Sequence, residues 1–181
     1  MYGMIHCGIR QMVVEELGEE AWVSLERDLG SGPQDMIAAM VYDDALTIRF
    51  LVTASERLGL TLEEGLKSFG RYWIRFAERG SFGSILRFTG SDIAAFIANL
   101  DRMHRAVVAA LPEAQVPSFS LVRQEPGLLR VQYRSDRSGL EPFVLGLLQG
   151  IVDRFDLEGE VARVPSQSNA VEFEITYVQR G

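Results

Sequence analysis

Nonpolar and polar residues recur with a helical period over the first two thirds of the chain. Residues 3–16 place nonpolar side chains three to four positions apart, which predicts an amphipathic helix. The same spacing predicts helices over 18–29, 43–59, 61–80 and 91–112. The sequence GSGP at 30–33 ends the second of these. Thr61 followed by Glu64 is a capping-box pattern, and the carboxylates at 43 and 44 suit the start of a helix.

The period changes after Pro117. Residues 117–136 predict a β-hairpin with a turn at Glu125-Pro126-Gly127, residues 139–155 a helix, and residues 159–164 and 170–178 two more strands. There is no repeat, low-complexity tract or linker. We therefore expect one α+β domain, in which a helical part is followed by a small, mostly antiparallel sheet crossed by a helix.

The composition narrows the class of protein. The 181 residues are 47% hydrophobic and 24% charged, with a net charge of −7, which is ordinary for a globular domain and disfavours nucleic-acid binding. No stretch is long and apolar enough for a membrane span, and the first residues lack a secretory signal. The one cysteine, Cys7, is expected to be a small buried hydrophobe. These features predict a cytoplasmic protein without disulfides.

The segment YRSDR at 133–137 is unusual for the end of a strand. In an extended chain Tyr133, Ser135 and Arg137 share one face with Leu129 and Val131, which is the inward face. A buried guanidinium without a partner is costly. An anionic group is therefore expected to meet Arg137.

His104 lies on the apolar stripe of the predicted helix at 91–112. It is either a core histidine satisfied by a backbone carbonyl or a single axial ligand to a cofactor metal. The enzyme motifs HExxH, GxSxG, GxGxxG and the P-loop are absent, so catalysis is not expected. A heme would account for both features, since its iron takes one histidine and its two propionates take Tyr, Ser and Arg donors.

This combination resembles the heme nitric oxide/oxygen binding (H-NOX) family, which includes the heme domain of the soluble guanylate cyclase beta subunit. The resemblance spans the chain and is carried by MYGMIHCGI at 1–9, YDD at 42–44, FGRYW at 69–73, NLDRMH at 99–104, PSF at 117–119, YRSDR at 133–137 and GLEPFVLGLLQG at 139–150.

The resemblance implies a site and a fold. His104 matches the family's proximal iron ligand, and Tyr133, Ser135 and Arg137 match its propionate-binding residues. Pro117 matches the proline that presses on heme b (iron protoporphyrin IX). The remaining pocket residues implied are Ile5, Ile9, Trp73, Phe143 and Leu147. The implied H-NOX fold has a helical subdomain over roughly residues 1–60 and an α/β subdomain over 61–181, with the heme between them.

The resemblance also implies a function, that of a regulatory sensor and not an enzyme. Oxygen-binding members hold dioxygen with a tyrosine at the place of Phe143, which has no hydroxyl. We therefore expect a nitric oxide sensor, which also binds carbon monoxide and signals by weakening or breaking the iron–His104 bond. A hydrogen bond from the hydroxyl of Tyr2 or Tyr72 to bound dioxygen stays open. The alternative function is therefore that of an oxygen-binding sensor or carrier. With no output domain expected on this chain, the partner implied is a separate histidine kinase or diguanylate cyclase.

Overall fold

The computed structural model describes residues 1–166 and 170–181. A 3₁₀ turn lies at Pro33–Met36. The helices are α1 (Gly3–Leu17), α2 (Glu19–Leu29), α3 (Asp44–Arg57), α4 (Leu62–Arg79), α5 (Gly83–Thr89), α6 (Ile93–Ala98), α7 (Leu100–Ala110) and α8 (Glu141–Arg154). The strands are β1 (Ser118–Glu125), β2 (Leu128–Arg134), β3 (Leu157–Val164) and β4 (Val171–Gln179). Two compact units are present, Met1–Phe69 and Gly70–Gly181.

The first unit is helical, and its helix starts follow the sequence signals. The Asp43 carboxylate accepts a hydrogen bond from the Ala45 amide at 2.9 Å and so caps α3. The capping box at the start of α4 is confirmed, because the Glu64 carboxylate accepts from the Thr61 amide at 2.9 Å and the Thr61 hydroxyl accepts from the Glu64 amide at 3.3 Å. The core of this unit includes Ile9, Val13, Trp22, Leu25 and Phe50.

The second unit is built on an antiparallel sheet with strand order β1-β2-β4-β3. The inward residues alternate along β2 and β4, as a half-buried sheet requires. Helix α8 packs on β3 and β4, and α6 and α7 pack on β1. The hydrophobic core of this unit includes Phe96, Leu129, Val131, Leu148 and Phe173. The predicted α+β architecture is therefore confirmed.

Two predictions about secondary-structure elements were wrong, and two elements were missed. The helix predicted over 91–112 is two helices, since the chain leaves helical geometry at Asn99, whose side-chain amide donates to the Thr89 carbonyl at 2.9 Å. Helix α5 and the 3₁₀ turn were not predicted. The strand predicted to reach residue 136 ends at Arg134.

The environment of Cys7 in the first unit differs from the prediction. Cys7 is half-buried instead of fully buried, and its thiol donates to the Met36 carbonyl at 3.1 Å. Burial raises the pKa of this thiol, which makes it a poor nucleophile near neutral pH. Across the described residues, no helix has the length and apolar character needed to span a membrane.

Candidate functional site

His104 lies on α7 with its ring tied to the loop before β1. The Nδ1–H group donates to the Pro117 carbonyl oxygen at 2.9 Å, and this bond fixes the tautomer in which Nε2 carries the lone pair. Burial lowers the pKa of His104, although the hydrogen bond to Pro117 and the nearby Asp101 charge oppose the shift. The imidazole is therefore neutral near pH 7, with Nε2 as the nitrogen suited to a metal.

Asp101 fastens the same helix to the start of β1. Its carboxylate accepts from the Phe119 amide at 2.7 Å and from the Ser118 hydroxyl at 2.8 Å. Sequence reasoning did not single out Asp101. The available signal was its place three residues before His104, which puts both side chains on one side of the helix. Together with the bond to Pro117, this contact fixes where α7 meets the sheet.

Tyr133 links the sheet to this region. It is buried, with 4% of its surface exposed, and it pairs in register with Phe119 across β1 and β2, with ring centroids 5.4 Å apart. The Phe119 ring in turn lies 5.8 Å from the His104 ring. Burial raises the pKa of Tyr133, and a hydrogen bond with the Ser135 hydroxyl opposes the shift. The phenol is therefore protonated and able to donate at neutral pH.

Ser135 and Arg137 come together with Tyr133 in a way that strand alternation did not predict. Both follow the end of β2, where the Ser135 hydroxyl accepts from the Arg137 amide at 3.1 Å, a local turn typical of serine. Arg137 is half-buried, and its guanidinium donates to the Gln115 carbonyl at 2.9 Å. The prediction of a buried row was therefore wrong for Ser135, which is exposed, whereas Arg137 is half-buried.

Trp73, Phe143 and Leu147 lie on the facing helices α4 and α8, and all three are half-buried. The helices meet closely at Gly70, one turn before Trp73, where a methyl group would collide with the Phe143 carbonyl and lie 2.8 Å from the Leu147 nitrogen. A bidentate ion pair between Arg71 and Asp153, at 2.5 and 2.9 Å, ties the same two helices. The side chains of Trp73, Phe143 and Leu147 themselves are predominantly nonpolar.

Ile5 and Ile9 belong to α1 in the first unit, where Ile9 is fully buried and Ile5 half-buried. The neighbouring His6 uses both ring nitrogens inside that unit. Its Nδ1–H donates to the Asp35 carbonyl at 2.7 Å, and Nε2 accepts from the Thr47 hydroxyl at 2.8 Å. His6 is therefore engaged by the protein, whereas His104 offers a lone pair.

The side chains of the second unit fit a heme. One neutral imidazole nitrogen supplies a single metal ligand, and a phenol, a hydroxyl and a guanidinium supply donors for carboxylates. Within residues 1–166 and 170–181, no group of three His, Cys, Asp or Glu residues is placed to hold a metal ion.

Comparison with known proteins agrees with this chemistry. The family model described as Haem-NO-binding matches residues 2–163. Among curated proteins, soluble guanylate cyclase gcy-35 of Caenorhabditis elegans is 29% identical over 165 residues, covering 87% of this chain and 24% of that protein. Soluble guanylate cyclase 89Db of Drosophila melanogaster is 24% identical over 155 residues, covering 86% and 23%. The chain thus spans about a quarter of the length of these relatives.

Solved structures show the same fold. An H-NOX protein from S. oneidensis in the Fe(II)NO ligation state superposes with a TM-score of 0.83 at 18% identity, covering 99% of this chain and 100% of that one. The oxygen complex of an oxygen-binding H-NOX domain related to soluble guanylate cyclases superposes with a TM-score of 0.80 at 20% identity, covering 98% and 95%. The same fold therefore occurs in a protein with nitric oxide bound and in a protein with oxygen bound.

Proposed function

Because the chain belongs to the Haem-NO-binding family, we propose that it is a heme-based sensor of nitric oxide that regulates a separate signalling protein. The observation that carries this proposal is the hydrogen bond from His104 Nδ1 to the Pro117 carbonyl. That bond holds the ring in the one tautomer that can ligate iron through Nε2. A core histidine satisfied at both nitrogens, as His6 is, would not leave this lone pair.

The proposed binding mode gives each polar side chain a role. Tyr133, Ser135 and Arg137 donate hydrogen bonds to the two propionates, and Arg137 adds a positive charge. The Pro117 carbonyl accepts a hydrogen bond from His104 Nδ1, and Pro117 is proposed to pack against the macrocycle. Trp73, Phe143 and Leu147 form an apolar wall for the gas. Ile5 and Ile9 are proposed to contact the heme from α1. The heme is proposed to be heme b.

When bound, the heme would supply a ferrous iron that binds a diatomic gas, with His104 Nε2 as its protein ligand, and nitric oxide would signal by weakening or breaking that bond. Loss of the contact at Nε2 would free α7 from one of its anchors, while Asp101 would still hold the helix to β1 through the Phe119 amide. The movement is therefore expected as a shift of α7 about Asp101. Such a ligand-dependent choice between two arrangements is what a sensor requires.

Selectivity for nitric oxide is proposed from the missing hydroxyl at position 143. Dioxygen is held by a hydrogen-bond donor beside it, whereas nitric oxide needs none. Phe143 offers no donor, and the Trp73 ring packs on the ring of Phe76 at 5.4 Å. Carbon monoxide, which also needs no donor, is expected to bind. The partner is proposed to be a histidine kinase or a diguanylate cyclase, which this protein would regulate in the cytoplasm.

The first experiment is an absorption spectrum of the purified protein, reduced under nitrogen and then exposed to air or to nitric oxide. We expect a five-coordinate, histidine-ligated ferrous heme that is unchanged by a brief exposure to air and shifts with nitric oxide. His104→Ala should lose the histidine-ligated spectrum, because Nε2 is the only protein ligand proposed.

The matched control is Arg105→Ala, which changes the next, exposed residue of α7 and should leave the spectrum unchanged. A stable oxygenated spectrum in air would contradict the gas selectivity and favour an oxygen-binding sensor. A histidine-ligated spectrum that persists in His104→Ala would overturn the site itself.

A further inference from the structure

A run of exposed nonpolar residues follows the 3₁₀ turn of the first unit. Residues 37–41, IAAMV, are all exposed, with 51% of Ile37, 51% of Met40 and 42% of Val41 accessible. We call these five residues the 37–41 segment. Single exposed nonpolar side chains are common on protein surfaces, but a contiguous set indicates an interaction site.

The backbone of the 37–41 segment is held in place while its side chains face outwards. The carbonyl groups of Ala38 and Met40 accept hydrogen bonds from the Met4 and Gly3 amides at 3.1 and 2.8 Å, which satisfies two amides at the start of α1. The Ile37 amide donates to the Tyr42 hydroxyl at 3.3 Å. The segment therefore presents its nonpolar side chains in one arrangement, and a partner would lose little entropy in ordering it.

The charge of the first unit, to which this segment belongs, is strongly biased. Residues 1–69 contain 12 Asp and Glu against five Lys and Arg, a net charge of −7 that equals the net charge of the whole chain. Residues 70–181 contain 13 of each and are neutral. Asp43, two residues after the segment, is exposed. Such a field attracts cationic partners over distances of about 10 Å at moderate salt.

We propose that the 37–41 segment is a docking surface for a basic amphipathic helix of a partner protein. The nonpolar face of such a helix would cover Ile37, Met40 and Val41, and its Lys and Arg side chains would face the acidic first unit. A second copy of this chain would bring two such surfaces of the same sign together, and an anionic membrane would be repelled for the same reason. The inference deepens the proposed function, on which it rests for the existence of a separate partner.

The probe is a fluorescein-labelled peptide with a Leu face and a Lys face, designed to be helical, added to the full chain and followed by fluorescence anisotropy. We expect Ile37→Ser with Met40→Ser to weaken binding by about tenfold, since two central nonpolar contacts are lost. Raising NaCl from about 50 to about 500 mM should also weaken binding, because salt screens the attraction. A peptide of the same charge without the Leu face should bind about tenfold more weakly.

The matched control is Phe88→Ser, which removes an even more exposed nonpolar side chain, 84% accessible, from the neutral second unit. It should leave the affinity unchanged. Asp43→Asn keeps the cap on α3 and removes one charge, so it should weaken binding at low salt only.

The docking surface would be overturned if the peptide did not bind, or if it bound Ile37→Ser/Met40→Ser as tightly as the unaltered protein. It would also be overturned if Phe88→Ser lost as much affinity for the peptide as the double variant. Self-association, seen by sedimentation and lost in the double variant, would assign the surface to a second copy. Cosedimentation with zwitterionic vesicles, lost in the same way, would assign it to a membrane. Failure of the proposed function appears instead in the absorption spectrum, which the double variant should leave intact.

Discussion

At the scale of single residues, the two histidines show that position in a helix does not determine whether a ring nitrogen is free to bind a metal. Both lie in helices that the apolar period predicts. His6 is fully buried and bonded at both nitrogens, whereas His104 is half-buried and bonded through Nδ1 to Pro117. The carbonyl groups that bond the two Nδ1 atoms come from 29 residues away for His6 and 13 residues away for His104. Sequence alone could therefore propose the ligand but not the carbonyl that orients it.

The burial of His6 predicts a dependence of stability on pH. Burial lowers the pKa of His6 from the ordinary value of 6.5, and the bond to the Asp35 carbonyl opposes this only in part. The unfolded chain therefore binds a proton that the folded chain does not, and stability falls as the pH drops below 6.5. The slope attributable to His6 is at most about 1.4 kcal/mol per pH unit. Urea unfolding between about pH 7.5 and about pH 5.5 measures it.

His6→Gln is the comparison for this slope, since a glutamine side chain can donate and accept but does not titrate. Its stability should depend less steeply on pH, even if its absolute stability is lower. His104 is present in both proteins, so its contribution cancels and the difference between the slopes belongs to His6. Equal slopes would show that His6 takes up its proton equally well in the folded and unfolded states.

At the scale of elements, the sequence predicted most helices and all four strands, and the deviations have local causes. Asn99 interrupts a continuous apolar period because its side chain bonds the Thr89 carbonyl. The spacing of nonpolar residues does not reveal such a side-chain hydrogen bond. The end of β2 follows from Ser135 accepting from the Arg137 amide. The composition of residues 135–139, Ser-Asp-Arg-Ser-Gly, is typical of a turn. The alternating spacing of Tyr133, Ser135 and Arg137 instead favoured a longer strand.

The close approach of α4 and α8 gives a prediction about Gly70. A methyl group there would collide with the Phe143 carbonyl, and that oxygen belongs to a helix backbone which cannot turn aside. Gly70→Ala should lower the free energy of unfolding by about 1–3 kcal/mol through overpacking, despite the better helix propensity of alanine. Urea unfolding measures this change. The spectrum of the nitric oxide complex should change as well, because Trp73, Phe143 and Leu147 lie beside the contact.

Gly80→Ala is the control for this substitution. Gly80 is exposed at the end of α4, and a methyl group there would come no closer than 3.4 Å to the Phe76 carbonyl. We expect a change within about 0.5 kcal/mol. Equal stability of Gly70→Ala and the unaltered protein would show that α8 can shift away from α4 at no cost.

At the scale of the whole molecule, the fold class was predictable because the period of the sequence is helical up to Pro117 and alternating after it, except over the helix at 139–155. The distribution of charge was also present in the sequence, but it gained meaning only when the boundary between compact units was located at residues 69 and 70. Summed over the chain, a charge of −7 suggests only solubility. Assigned to the units, it marks the first as acidic and the second as neutral.

This bias predicts that salt acts unequally on the two units. Carboxylates in residues 1–69 repel one another with few cations to offset them, since five Lys and Arg face 12 Asp and Glu. Screening by NaCl relieves this repulsion in the first unit and has little to relieve in the second. Hydrogen-exchange mass spectrometry at about 10 and about 300 mM NaCl should show protection rising severalfold in α1, α2 and α3, with little change in β2 and β4. The second unit serves as the internal control, because a general effect of salt on burial would protect both. If the protection of α1, α2 and α3 is the same at both salt concentrations, the ion pairs Arg10–Glu19 and Arg57–Asp28 already neutralise the repulsion locally. The acidic field invoked for partner docking would then be weaker than the count of charges implies.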